Sequence, residues 1–304
     1  MNRGKASVGV SLFTAHLLTI FTSLLIASTF VVGAKITRGL DPAVLTLVRF
    51  IVAVALFCPW IFLRFGWRAT FTVSLRTLLR CSIVSLCLTG FFIGMFYALR
   101  YTTALNTSVI YTLVPALSSL FSLLLVREAI SLWRGSALLL GLVGALWVLC
   151  DGQLSILFTM HWGYGDKIFA LACLAMSLYT PLIKLFFKAE DTMEVITWWI
   201  LVSGMVWMAL AAGHQLLHTD LVSIDAGVWL GILYLAIFTT IVSFYLVQVC
   251  VPVLGPTRVM AYSYTYPALV VLYDLLLGHG IPQSATLPGV GIVCLAMLLL
   301  MREE

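Results

Sequence analysis

Charge is what this chain has least of. Asp, Glu, Lys and Arg make up 10% of the 304 residues, against roughly 25% in a soluble globular domain. Beside 62% hydrophobic residues and a mean hydropathy of +1.11, that shortage excludes a water-soluble fold and makes lipid the main solvent. Clustered cysteine is lacking too. The seven cysteines are scattered through apolar runs with no CxxC spacing and no Cys/His cluster, so they imply neither disulfides nor a metal site. HExxH, GxSxG, an Asp-rich metal motif and a phosphate-cradling glycine loop are all missing. With so few ionisable residues in apolar surroundings, acid–base chemistry has little to work with. The sequence therefore argues against an enzyme and predicts no metal and no cofactor. A net charge of +5 would suit nucleic acid only on a clustered, solvated face. Here the basic residues fill short gaps between apolar runs, so no nucleic-acid partner is expected.

Long apolar runs are what the chain has instead. A spanning helix needs about 20 mostly apolar residues, and ten runs qualify: 11–34, 43–63, 78–99, 104–126, 133–150, 165–187, 194–213, 225–249, 256–277 and 284–301. The first is far longer than the roughly 7–15 apolar residues of a cleaved signal peptide and is expected to be retained. With the N-terminus inside, the inner segments hold Arg3, Lys5, Arg64, Arg68, Arg76, Arg80, Arg127, Arg134, Lys184, Lys188, Arg258 and Arg302, twelve of the 17 basic residues. The outer segments hold Lys35, Arg38, Arg100 and Lys167, and Arg49 lies within helix two. Such a bias predicts cytoplasmic termini and a multi-pass protein of the cell (inner) membrane.

One stretch occurs twice. Pro115-Ala116-Leu117-x-x-Leu120-x-x-Leu123-Leu124-Leu125 returns without gaps as Pro267-Ala268-Leu269-x-x-Leu272-x-x-Leu275-Leu276-Leu277. The shift is half the chain length, which predicts two repeats, 1–152 (helices 1–5) and 153–304 (helices 6–10). Five helices per repeat place the second copy upside down in the membrane. Two inverted copies meeting at a pseudo-two-fold axis give a midplane cavity that can open to either side. The expected architecture is an all-α integral membrane protein of ten helices, with a pocket lined by helices three, four, eight and nine.

Several of these residues stand in the order of a known family. Lys35 near the end of helix one is followed by Pro42 in the turn and Arg49 in helix two. Tyr97-Ala98-Leu99-Arg100-Tyr101-Thr102 precedes the Pro115 helix, which ends in Glu128, and Gly135 opens the next. Gly255, the Pro267 helix and Gly289 fit the second half, whereas Gly278-His279 and Ala27-Ser28 depart from the pattern. The chain resembles the EamA branch of the drug/metabolite transporter superfamily. That resemblance implies two inverted EamA repeats and carrier-type transport of a small metabolite, commonly an amino acid or related compound and often outward. A non-transporting membrane sensor or assembly protein is the alternative from another class, but it needs neither inverted halves nor a central cavity.

The candidate site residues are the polar groups inside apolar runs. An arginine as deep as Arg49 costs about 2.5–3.5 kcal/mol or more unless it meets a partner or water. It either anchors a substrate carboxylate or phosphate or bonds locally and reaches the surface. Tyr97, Tyr111, Tyr245, Gln248 and Tyr262 are expected to line the pocket with it. Tyr262 and Tyr266, four apart, would share a helix face. Asp274 is placed to bind a cation or take up a proton as the carrier cycles, and Lys35 to gate or to reach the interface. Gly141, Gly144, Gly289 and Gly291 allow close helix contact, within one chain or across a homodimer seam. The expected partners are thus a small-molecule substrate and the bilayer.

Overall fold

A computed structural model describes residues 10–127, 131–149, 152, 163–187, 192–254, 259–260, 262–278 and 284–301, and among these every regular element is helical. Helix α1 (Leu12–Ile36) starts where the Ser11 hydroxyl accepts from the Thr14 amide. In α2 (Pro42–Phe71) the Asp41 carboxylate takes the amides of Ala43 and Val44, and Pro42 needs no amide partner in the first turn. Gly66, at φ +76°, bends the chain near the far end of α2. After α3 (Leu75–Ala98), Arg100 donates to the carbonyls of Thr37 (2.9 Å) and Leu40 (2.8 Å). The shortest gap in the sequence is therefore a turn that also ties down the loop between α1 and α2.

The duplicated prolines each stand just past a helix break. A proline lacks an amide hydrogen, and its ring crowds the carbonyl four residues back. For Pro115 that carbonyl belongs to Tyr111, and the apolar span divides at Thr112 into α4 (Ala104–Tyr111) and α5 (Leu113–Val126). For Pro267 it belongs to Ser263, and a 3-10 turn, Tyr262–Thr265, precedes the later helix Tyr266–Leu276. Between these lie α6 (Leu132–Leu149), α7 (Tyr164–Phe186), α8 (Met193–Leu217) and α9 (Ala226–Ala236). A π-helical turn, Ile237–Val242, joins α9 to α10 (Ser243–Leu254). Helix α11 is Tyr266–Leu276, and α12 (Leu287–Met301) follows the 3-10 turn Ser284–Thr286.

Seven of the described segments are long and apolar enough to cross a bilayer, and Gly135–Val148 and Ser284–Leu299 are shorter apolar helices. Leu63, Leu124, Leu139, Leu210 and Leu230 are exposed on their outer faces, as lipid-facing residues should be. Packing follows the duplication. Helix α6 packs on α12 and α2 on α8, while α3–α7 and α1–α10 form one equivalent pair of contacts and α5–α7 and α1–α11 another. The α6–α12 seam rests on missing side chains: a Cβ on Gly144 would stand 3.0 Å from the Gly289 carbonyl, and one on Gly289 2.9 Å from the Gly144 carbonyl. Gly141 receives the Tyr264 ring, whereas a Cβ on Gly291 would meet nothing within 4 Å.

Candidate buried cation site between the halves

Thr239 and Thr240 sit in the π turn, two adjacent hydroxyls in the middle of an apolar run. Each donates to the Leu235 carbonyl, at 2.9 Å and 3.0 Å, and Ser243 donates to the Thr239 carbonyl at 2.8 Å. Hydroxyls that bond back to the helix compete with the regular ladder and suit a local widening to π geometry. A hydroxyl has one hydrogen to give and two lone pairs. With both hydrogens committed to Leu235, the free lone pairs of the two threonines are what remains for a donor.

Arg49 is that donor. From α2 its Nη2 donates to Thr239 Oγ1 at 3.1 Å and Thr240 Oγ1 at 2.8 Å, and its Nε donates to Thr240 Oγ1 at 3.2 Å. Its Cζ lies 4.1 Å from the centre of the Phe92 ring of α3 and 5.9 Å from that of Phe96, within reach of cation–π attraction. Arg49 is 2% exposed, yet Nη1 has no hydrogen-bond partner among the described residues. A buried charge ordinarily pairs with an opposite charge. Here the guanidinium is held by neutral hydroxyls and ring faces, with Nη1 left unpartnered among the described residues.

An aromatic wall continues from this cation. Phe92 packs against Phe91 with centroids 5.3 Å apart, and Phe91 against Tyr111 of α4 at 5.6 Å. Tyr111 faces Tyr266 of α11 at 5.5 Å, with Phe30 and Phe169 closing the group. The two helix breaks at the duplicated prolines thus bring one tyrosine from each half into contact.

Of the eight residues singled out in the sequence, Arg49 and Tyr111 join this cluster. Five others lie elsewhere. Tyr97 forms an aromatic group with Tyr101 and Tyr164 at the end of α3. Tyr245 packs on Trp60 and with it, Phe57, Leu201, Ile241 and Phe244 lines a small cleft. Tyr262 shares a 2.6 Å hydrogen bond with His16 Nδ1. Because Tyr262–Thr265 is 3-10 rather than α-helical, Tyr262 faces His16 while Tyr266 faces Tyr111, and the expected shared face does not form. Asp274 is half-buried in the last turn of α11, and Lys35 is exposed in the last turn of α1. The side chain of Gln248 lies outside the described residues. The sequence reading passed over Thr239, Thr240 and Phe92. The adjacent threonine pair was the available signal, whereas Phe92 looks like any other core residue until its partner is seen.

An all-helical chain of apolar spans, in two halves whose packing is equivalent, with a cation buried at their junction, is a multi-pass membrane protein of the transporter class. The chain belongs to the EamA-like transporter family, whose model matches it twice, over residues 13–150 and 163–302. It is 24% identical over 286 residues to an uncharacterized transporter of Archaeoglobus fulgidus, spanning 92% of this chain and 94% of that one. A second relative, the uncharacterized transporter YyaM of Bacillus subtilis, is 22% identical over 189 residues, and the match spans 62% of each chain. A solved crystal structure shares the fold with a TM-score of 0.68, at 21% identity, over 95% of this chain and 96% of its own.

Proposed function

We propose that the protein is an alternating-access carrier of ten spanning helices, two inverted five-helix repeats divided near residue 152, with both termini cytoplasmic. It exports across the cell (inner) membrane a small metabolite bearing a carboxylate, an amino acid or related compound, and performs no covalent chemistry. The inside bias of basic residues and the odd number of helices per repeat support the arrangement. The single observation that carries the substrate reading is the Arg49 guanidinium, buried at the junction of the halves with Nη1 unpartnered and no carboxylate among its hydrogen-bond partners in the described residues.

Binding and movement are linked through the same atoms. A carboxylate accepts two parallel N–H bonds from one guanidinium, stronger than bonds to neutral hydroxyls. A substrate carboxylate at Nη1 draws Arg49 away from Thr239 and Thr240, the contact joining α2 to the π turn. That contact spans the two repeats, so loosening it frees them to rock. Arg49 is closed off in the present conformation, so substrate enters when the halves part. The Tyr111–Tyr266 wall would line the path beside Arg49 and present its two hydroxyls to polar groups of the substrate. Tyr97, Tyr245, Gln248 and Tyr262 would line the entry and exit paths above and below. Asp274 would couple the cycle to a proton or cation, with Lys35 gating the outer mouth.

Counterflow in proteoliposomes against pooled, labelled amino acids and nucleosides tests the proposal. Saturable exchange for a carboxylate-bearing pool member, with a half-saturating concentration raised at least about tenfold in folded Arg49→Ala protein, is the expected result. Exchange confined to uncharged compounds and unchanged by Arg49→Ala would refute it.

A further inference from the structure

Helix α8 ends in a histidine pair that the transport reading leaves unused. His214 lies in its last turn and His218 is its C-cap, one helical turn apart on one face. Both side chains are exposed, and their Nε2 atoms stand 3.2 Å apart, with ring centroids 4.4 Å apart and planes inclined at 55°. Two neutral imidazoles sharing one hydrogen would sit this close, but so would two imidazoles on one metal ion. Nitrogens at about 2.0–2.1 Å from an ion, subtending an angle of roughly 100°, stand about 3.2 Å from each other. The same nitrogen of each ring is thus presented at the spacing that one shared ion requires.

We infer that His214 and His218 form a binding site for a divalent transition-metal ion, with water completing the coordination. Imidazole nitrogen suits Cu²⁺, Ni²⁺ and Zn²⁺, and the general order of affinities puts Cu²⁺ first. Position adds to the donor set. The C-terminal turn of a helix carries partial negative charge on its unpaired carbonyls, which favours a cation there. With α8 running outward, as the proposed topology has it, the site faces the external solution, where an ion reaches it without entering the transport path. A bound ion staples the final turn of α8 to its cap and resists fraying where the 219–225 loop begins. The ion binding itself is independent of Arg49 and of transport; only the side of the membrane it faces rests on the proposed topology.

Calorimetric titration of the purified, tag-free protein with Cu²⁺, Ni²⁺ and Zn²⁺ tests the inference, with wild type beside His214→Gln, His218→Gln and the double variant. One equivalent should bind the wild type, Cu²⁺ most tightly, and each single variant should bind at least about tenfold more weakly. The Cu²⁺ complex should show two-nitrogen coordination by electron paramagnetic resonance in wild type and lose it in the double variant. Unchanged affinity and spectrum in the double variant would overturn the inference, because His16, His161 or His279 would then hold the ion. Absence of binding at micromolar ion to folded wild type would overturn it equally, leaving only a shared hydrogen. Both residues are exposed at a helix end, so the variants should fold, and retained counterflow would confirm it.

Discussion

Arg49 Nη2 donates to Thr240 Oγ1 at 2.8 Å across 191 residues of sequence, joining the second helix of the first repeat to the π turn of the second. The bond is short and charge-assisted, yet its acceptor is neutral. It can therefore be outcompeted by a carboxylate, and a pair that holds the halves together when empty can release them when filled.

Removing the cation should separate transport from folding. Arg49→Ala deletes a buried charge that no acidic group among the described residues neutralises, so the protein should express and keep its melting temperature within a few degrees. Loss of charge-assisted hydrogen bonds worth about 1.5–3 kcal/mol should raise the half-saturating substrate concentration roughly 10- to 100-fold. Arg49→Lys keeps charge but not the paired N–H geometry, and should fall between the two. Counterflow and a thermal melt on the same preparations check all three.

Removing the acceptors should do the reverse. Thr239→Val and Thr240→Val leave the guanidinium buried with fewer partners, at about 1–3 kcal/mol for each group left unsatisfied. The double variant should melt lower than wild type and also lower than its combination with Arg49→Ala, in which the orphaned charge is gone. A melting-temperature cycle over the four proteins measures that coupling directly.

The glycine seam predicts a contrast between neighbours. Gly144→Val and Gly289→Val each force α6 and α12 apart, an overpacking cost of about 1–3 kcal/mol. Gly291→Val points into open space and should be near neutral. Thermal stability in detergent discriminates them, and a destabilised Gly291 variant would signal a contact outside the single chain, such as a homodimer seam.

Much of this was legible in the sequence because lipid imposes length and apolarity on every span. The shortage of charge gave the class, and the Pro115/Pro267 duplication gave the two halves. The α6–α12 glycines were also readable, since close backbone approach demands a missing side chain. The site was harder. Arg49 and Tyr111 stood out as polar groups in apolar runs, but their neighbours depend on two local departures from regular helix. The 3-10 turn at Tyr262–Thr265 rotates Tyr262 away from Tyr266, and the π turn puts Thr239 and Thr240 together on Arg49. Periodicity arguments assume 3.6 residues per turn, and they fail where the helix changes pitch.

Asp274 gives a prediction about coupling. If it takes up a proton in the cycle, Asp274→Asn should abolish acceleration of net uptake by an imposed pH gradient while leaving substrate exchange at equilibrium intact. Uptake still driven by the gradient in Asp274→Asn would place the coupling group elsewhere.

The most direct test of the central claim compares a transported amino acid with its own carboxamide, which keeps the shape and loses the negative charge. Competition in counterflow should show the carboxamide at least about tenfold weaker against wild type, as loss of a charge-assisted hydrogen bond requires. In Arg49→Ala the two should compete equally. Equal competition in wild type, or a preference for the acid that survives Arg49→Ala, would contradict Arg49 as the anchor of the substrate's carboxylate.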